Sequence, residues 1–366
     1  MKKIKVILTL LLTFSILLAS CGVSSGDTIM EYNGEKLGER LYSFWAAKFK
    51  RNILNLYSDV EDKTDYWNSE YKSSITVAEF FDDLIKSQIK NYLISQKLFK
   101  EYNLKLSDEI IQQIDDDITE KIEFSGSRTE LNEELAEMGI NIELLREAYI
   151  WQAKHDAVYS YLFGHGGPKE ATSEQIQNYY ESNYSLIDYI VVYKTKLVYD
   201  ENGNLKYDSE GNVVTEEMTE SEAAEALMKA DEAFMLADGG EDFTALMKEY
   251  SDYDLSELYS RGLFVSANEL ATYGYGIVSA VQSGKPGEVY RVEEEAAYYI
   301  IKERELTSFE KLNDEDLLQL SNLENYCIDE LYSQYFSELA ENVKTDDDKL
   351  KSFSIAVIKA SPSSIY

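Results

Sequence analysis

Few side chains in this 366-residue sequence are equipped for chemistry, and their types narrow what that chemistry can be. There are two histidines, His155 and His165, and two cysteines, Cys21 and Cys327. Two histidines without metal-spaced cysteines cannot supply a zinc site of the usual kind, and no Gly-rich phosphate loop is present. The expectation is therefore no metal and no cofactor. The 68 acidic residues are spread along helix faces, where they read as solvated surface rather than as a paired acid and base. Asp200-Glu201-Asn202-Gly203-Asn204 has a faint likeness to a calcium loop, but its glycine is misplaced and the closing glutamate is missing, so it reads as turn chemistry. Cys327 lies with Leu320, Leu323 and Leu331 at helical spacing and reads as core. What remains is phenol: 29 tyrosines, each a hydrogen-bonding hydroxyl on a ring that stacks on apolar groups.

Cys21 stands apart because of what precedes it. Lys2, Lys3 and Lys5 form a basic start, an apolar run extends from Val6 to Leu18, and Ala19-Ser20-Cys21-Gly22 follows. The run is shorter than the roughly 20 residues a membrane span requires, so residues 1–20 read as an export signal. Leu18-Ala19-Ser20-Cys21 resembles the lipobox of bacterial lipoproteins, in which the cysteine thiol is acylated and becomes the new first residue. Two acyl chains, at about 0.8 kcal/mol per buried CH₂, hold such a protein on a membrane surface. The expected location is extracytoplasmic, lipid-anchored to the bacterial cell membrane through Cys21. With Cys21 acylated, Cys327 is left without a disulfide partner. A formal net charge of −33 repels nucleic acid and anionic headgroups, which excludes both as binding partners of the folded surface. Hydrophobic content of 44% argues against disorder, and the length argues for two cores rather than one.

The elements that must position any site follow from periodicity. After a linker at 21–28, Ile29 to Leu37 reads as a strand ending in an Asn33-Gly34 turn. Leu41, Phe44, Trp45, Phe49, Ile53 and Leu56 give the next helix one apolar face. The capping box Thr76 to Glu79 opens a helix to about Tyr102, with Phe80, Leu84, Ile85, Ile89, Leu93 and Phe99 inward. Ser107 starts another through Ile110, Ile111, Ile114 and Ile118. A pair follows through Leu131 and Leu135, then Leu144 to Phe163, broken at Met138-Gly139. A second box, Thr172 to Gln175, caps a helix to Tyr180. From there the pattern changes. Leu186 to Val192 reads as a buried strand, Asn202-Gly203 and Glu210-Gly211 as turns of a hairpin or meander, and Thr219 to Glu222 as the cap of a helix through Phe234. Beyond Asp242 come helix, loop, helix, a Pro286-Gly287 turn and the strand Ala297 to Lys302. Thr307 to Glu310 is read as a fourth box leading to helix as far as Val343. The alternation from Phe353 to Lys359 predicts a final strand pairing near Ile29, which would build one helical unit from both chain ends.

Several stretches in order resemble a parvulin domain, the small α/β fold of one peptidyl-prolyl isomerase family. They are Asp188 to Val192, Asp242-Phe243-Thr244-Ala245-Leu246 with Tyr250-Ser251, Arg261-Gly262-Leu263-Phe264, Lys285-Pro286-Gly287-Glu288-Val289 and Tyr298 to Lys302. The flanks, Tyr32 to Leu37 followed by a helix and the paired helices to Phe163, are similar to the chaperone region of PrsA-type foldases and of SurA-type periplasmic chaperones. The resemblance implies an α+β chain: a mostly helical chaperone unit from 29–183 and 306–366, with an inserted parvulin-like domain at 184–305 carrying a hairpin insertion at 195–217. Parvulins place a histidine in the first strand, another in the last, and a cysteine or aspartate after the Ser-Asp pair. Here the matching positions hold Tyr189, Tyr299 and Tyr253, while Phe264 and Tyr273 match the proline-pocket wall.

Prolyl isomerisation needs no covalent step, only a site that strips water from the imide and stabilises the twisted amide. A phenol donates a hydrogen bond and stacks on proline but does not reproduce a coupled imidazole pair. The resemblance thus implies a tethered foldase or holdase for unfolded secreted polypeptides. An active isomerase is the alternative, and a solute-binding lipoprotein a third reading. The sequence is also compatible with a homodimer.

Overall fold

The computed structural model describes residues 25–366 except 58, 59, 73, 202, 203, 210, 212, 363, 364 and 366. Residues 1–20 and the lipidation position Cys21 lie outside the described residues, as do Asn202, Gly203 and Glu210 of the turn motifs. Among the described residues no helix is long and apolar enough to cross a membrane. The chain is α+β, with helices and small antiparallel sheets, and it divides into two compact units: residues up to 170 with 331–366, and residues 171–330.

In the first unit, β1 (Thr28–Tyr32) and β2 (Glu35–Gly38) form a hairpin rather than one strand. Its turn is Asn33-Gly34, both at positive φ (47° and 89°), the geometry that this dipeptide tolerates best. Helix α1 (Glu39–Leu56) follows, then a single turn α2 (Thr64–Trp67) and a short hairpin β3 (Glu70–Lys72) and β4 (Ile75–Thr76). Helix α3 (Val77–Glu101) starts at the expected capping box, in which Thr76 Oγ1 accepts from the Glu79 N–H and the Glu79 carboxylate accepts from the Thr76 N–H. α4 (Asp108–Phe124), α5 (Arg128–Ala136) and α6 (Ile142–Phe163) complete the N-terminal run, capped by Ser107, Ser127 and Asn141. The core gathers around Trp45, whose ring lies 5.0 Å from Tyr92 and 5.7 Å from Trp151. Three residues assigned inward by spacing, Leu56, Leu84 and Ile110, are instead exposed. Their helices are amphipathic over a wider arc than their neighbours cover.

The second unit opens with α7 (Ser173–Asn183), which has the predicted Thr172–Gln175 box and runs directly into β5 (Tyr184–Tyr193). The insertion pairs β6 (Thr195–Leu197) with β7 (Thr215–Glu217). Two isolated bridges lie between, Tyr199 with Leu205 and Tyr207 with Val213, so a small meander replaces a single hairpin. α8 (Glu220–Asp238) and α9 (Phe243–Tyr250) precede β8 (Leu263–Ser266), α10 (Leu270–Tyr273), α11 (Tyr275–Gln282), β9 (Val289–Glu293) and β10 (Ala297–Arg304). Strand order in this sheet is β8-β5-β10-β9, antiparallel throughout. α8 lays Ala226, Ala230, Ala233 and Ala237 against Ile190, Val192 and Ile300 on one face. α11 covers the other with Ile277, Val278 and Val281.

The last segment departs from expectation twice. Thr307 to Glu310 does not cap a helix; Phe309–Lys311 is a single 3₁₀ turn. The helix α12 (Asp314–Gln319) begins at Asn313, whose side chain accepts from the Glu315 and Asp316 N–H groups. Asn313 followed by three acids is the stronger start because it satisfies orphan donors and suits the helix dipole. α13 (Leu323–Ala340) follows, and its residues from Leu331 belong to the first unit. β11 (Lys344–Thr345) then pairs with β1, Met30 opposite Thr345, before the short α14 (Asp347–Leu350). The predicted strand Phe353 to Lys359 is absent. Ser354 accepts backbone hydrogen bonds from Val357 and Ile358 at 2.8 and 3.0 Å, which closes a turn where the alternation suggests extension.

Candidate functional site

Strand parity brings the predicted tyrosines together. Tyr299 pairs with Val191 and Ile301 with Tyr189, so Tyr189 and Tyr299 occupy diagonal positions on one face of adjoining strands. Their ring centroids are 6.1 Å apart and tilted by 55°. Both rings are half-buried, and Tyr273, at the end of α10, packs against the same core as they do. The β5 edge explains how Tyr253 arrives. β8 pairs only with Tyr184 to Ile187, leaving the rest of that edge open. Ser251-Asp252 fills it: the Asp252 N–H donates to the Val191 carbonyl at 2.8 Å, the Val191 N–H to Ser251 Oγ at 3.3 Å, and the Tyr193 N–H to Asp252 Oδ2 at 2.9 Å. An ion pair to Lys229 on α8 holds the aspartate from the other side. Tyr253, next in sequence, is 52% exposed.

Burial pushes the Tyr189 hydroxyl up to about 12, and the neighbouring phenols Tyr299, Tyr193, Tyr273 and Tyr253 add to the shift. Burial also raises Tyr299, reinforced by Glu294, and raises Tyr273, reinforced by Glu269 and Tyr326. These phenols are thus neutral hydrogen-bond donors at physiological pH, not bases. The Glu294 carboxylate accepts from the Gly276 N–H at 2.7 Å, and a Cβ at Gly276 would lie 2.4 Å from it and 2.8 Å from Val292 Cγ1, so a larger residue there would displace them. Phe264 does not join the cluster. Its pairing with Leu186 turns it to the opposite face, buried with its ring 6.1 Å from Tyr180.

Both histidines lie in the first unit. His165 is exposed, its Nδ1 in hydrogen-bond contact with the Glu170 carboxylate at 2.7 Å. His155 is buried in a closed polar group: its Nδ1 meets Ser95 Oγ at 2.8 Å, its Nε2 meets the Tyr332 hydroxyl at 3.3 Å, and Asn91 donates to that hydroxyl at 2.9 Å. Burial holds its imidazole down at about 4. With both ring nitrogens occupied inside the core, this group positions helices and offers nothing to a substrate.

The first unit also holds a groove of about 960 Å³ that periodicity alone did not single out. Ile110, Ile114 and Phe124 of α4 and Tyr149 of α6 wall it, with Lys48 and Lys121 at its rim. Phe124 is 77% exposed. Burial lowers the pKa of both lysines, and the Lys48 ammonium lies 5.5 Å from the Tyr149 ring centre. The available signal was the isoleucine run at Ile110, Ile111, Ile114 and Ile118, wider than one neighbouring helix can cover. Among the described residues no group of three or more His, Cys, Asp or Glu side chains converges as for a metal ion.

No protein-family model matches this chain, and neither does any curated protein. Solved structures similar to it include PrsA structures. The Bacillus subtilis protein is 18% identical, with 79% of this chain and 98% of that chain covered and a TM-score of 0.22. The foldase protein PrsA of Streptococcus pneumoniae is 15% identical, with 81% and 95% covered and a TM-score of 0.24. The Bacillus cereus peptidylprolyl isomerase (PrsA) is 19% identical, with 78% and 97% covered and a TM-score of 0.25.

Proposed function

We propose that this protein is an extracytoplasmic foldase of the holdase kind, tethered through Cys21, that binds unfolded secreted polypeptides. Residues 184–305, which lie within the unit 171–330, are read as a parvulin-like module with degenerate catalytic positions, inserted in a helical chaperone unit. The observation that carries the reading is the open groove walled by Ile110, Ile114, Phe124 and Tyr149, where the exposed Ile110 and Phe124 side chains lie among charged and amide groups that include Lys48, Asp117, Glu120, Lys121 and Gln152. Such a surface suits low-specificity contact with apolar stretches of a client. The phenols of Tyr189, Tyr253, Tyr273 and Tyr299 offer a second such surface, stacking on proline and donating hydrogen bonds without a titrating imidazole. The strong negative charge favours basic clients.

The convergence of Tyr189 and Tyr299 on one face keeps a second reading, an active prolyl isomerase, in play. Two assays separate the readings. Suppression of client aggregation with no acceleration in a protease-coupled proline-peptide assay is the expected outcome. Acceleration abolished by Tyr299→Ala would establish the enzyme instead, and absence of both activities would remove the chaperone reading.

A further inference from the structure

The segment after α14 is held in an unusual manner. It runs along a trough between α1 and α3, and much of its attachment is to its own main chain. Lys50 Nζ donates to the Ile358 carbonyl at 2.8 Å and Arg51 Nε to the Ser361 carbonyl at 2.6 Å. The Ser361 N–H donates to the Ala47 carbonyl at 3.0 Å, and the Ile355 N–H to Asp82 Oδ1 at 2.7 Å. Lys50 is only 2% exposed, held by Asp62 at 2.6 Å and by the Trp67 ring, so its ammonium is fixed toward the trough. Side chains supplement these bonds: Ile355, Ser361 and Ile365 are fully buried, the Phe353 ring lies 5.7 Å from Tyr42, and the exposed Lys359 sits 3.9 Å from Glu137. Val357, between Ile355 and Lys359, is 69% exposed.

Donors and acceptors aimed at peptide carbonyls and N–H groups recognise a chain by its backbone, as strand-adding and peptide-binding surfaces do. Side chains then supply preference without demanding a sequence. We propose that the α1–α3 trough is a third polypeptide-binding site, that residues 354–361 are its resident occupant, and that an unfolded client segment takes their place. The preferred client segment carries an isoleucine-sized residue followed four positions later by a basic one, mirroring Ile355 and Lys359. This inference rests on the chaperone reading above. In it the tail limits access: the apparent affinity for a client is the intrinsic affinity scaled by the fraction of molecules whose tail is released.

The test measures binding of a labelled, unrelated 14-residue peptide containing an isoleucine and a lysine four residues on. The full chain is compared with a chain ending at Ser352 and with Ser361→Pro, which removes one N–H of the occupant and leaves the trough wall intact. Losing the occupant's hydrogen bonds should tighten binding about tenfold in the shortened chain and a few-fold in Ser361→Pro. Arg51→Ala in either background should reverse the gain, and replacing the peptide lysine by glutamate should weaken binding. If the shortened chain fails to fold, as judged by its circular dichroism, Ser361→Pro carries the test. Unchanged peptide affinity in a folded variant, or indifference to Arg51→Ala, would overturn the proposal. If aggregation suppression persists in that case, only the trough falls; if the parent suppresses no aggregation, the chaperone reading itself falls.

Discussion

The two polar aromatic clusters of this protein use similar groups toward opposite ends. Around His155, a serine, an asparagine and a tyrosine close on one another inside the helical core, with the Phe336 ring 5.8 Å from the imidazole. Around Tyr189, phenols share one sheet face yet remain half-exposed, and none of them faces an imidazole. A cluster whose hydrogen bonds are satisfied internally fixes structure; one whose rings stay open to solvent keeps its capacity to bind. The contrast cautions against reading catalysis from residue type, since the histidine is structural and the tyrosines form the candidate surface.

The sharpest way to break the comparison is to cut into the closed cluster. Phe336→Ala removes a fully buried ring and should cost about 3–5 kcal/mol in denaturant unfolding of the helical unit. Acid is the next largest effect. His155 is held at about 4 against an ordinary value near 6.5, so it folds neutral while the unfolded chain takes up a proton first. Its contribution is therefore complete above pH 6.5, declines as pH falls from 6.5 toward 4, and reaches at most about 3 kcal/mol. His155→Gln should flatten that part of the stability–pH curve relative to the parent; an unchanged slope would show that the imidazole is not the titrating group.

The open cluster should behave otherwise. Tyr299→Ala takes away a half-buried ring and should cost about 1–2 kcal/mol, while weakening capture of an unfolded client several-fold. Tyr253→Ala, on an exposed loop, should shift stability by less than about 0.5 kcal/mol yet still lower client capture. If Tyr253→Ala instead unfolded the second unit and Phe336→Ala did nothing, the assignment of closed and open clusters would be reversed.

Local signals carried much of the fold. The boxes at Thr76, Thr172 and Thr219 formed because a threonine and a Glu or Gln three residues on satisfy two orphan donors by themselves. The box at Thr307 did not form, since Asn313 and the acids after it compete for the same helix start. Alternation from Phe353 to Lys359 failed as a strand signal because Ser354 closes a turn and Lys344-Thr345 already occupies the β1 edge. At the site, Tyr189 and Tyr299 were singled out by the resemblance of their strands to a parvulin domain, and only the pairing register of β5 with β10 shows that they share a face. Phe264 does not share it, because a single position of register decides which face a strand residue serves. For the α4–α6 groove the isoleucine run from Ile110 to Ile118 signals a wide apolar arc, but which part of that arc stays bare depends on the tertiary packing.

Hydrogen exchange on the full chain, with and without an unfolded basic client, tests the central claim most directly. The account predicts added protection in α4 and α6 around Phe124 and Tyr149 and along β5 and β10 around Tyr189 and Tyr299, with the backbone around Asn91 and Ser95 of the closed cluster unchanged. Protection confined to other surfaces, with both of these regions unaffected while the client is demonstrably bound, would contradict it.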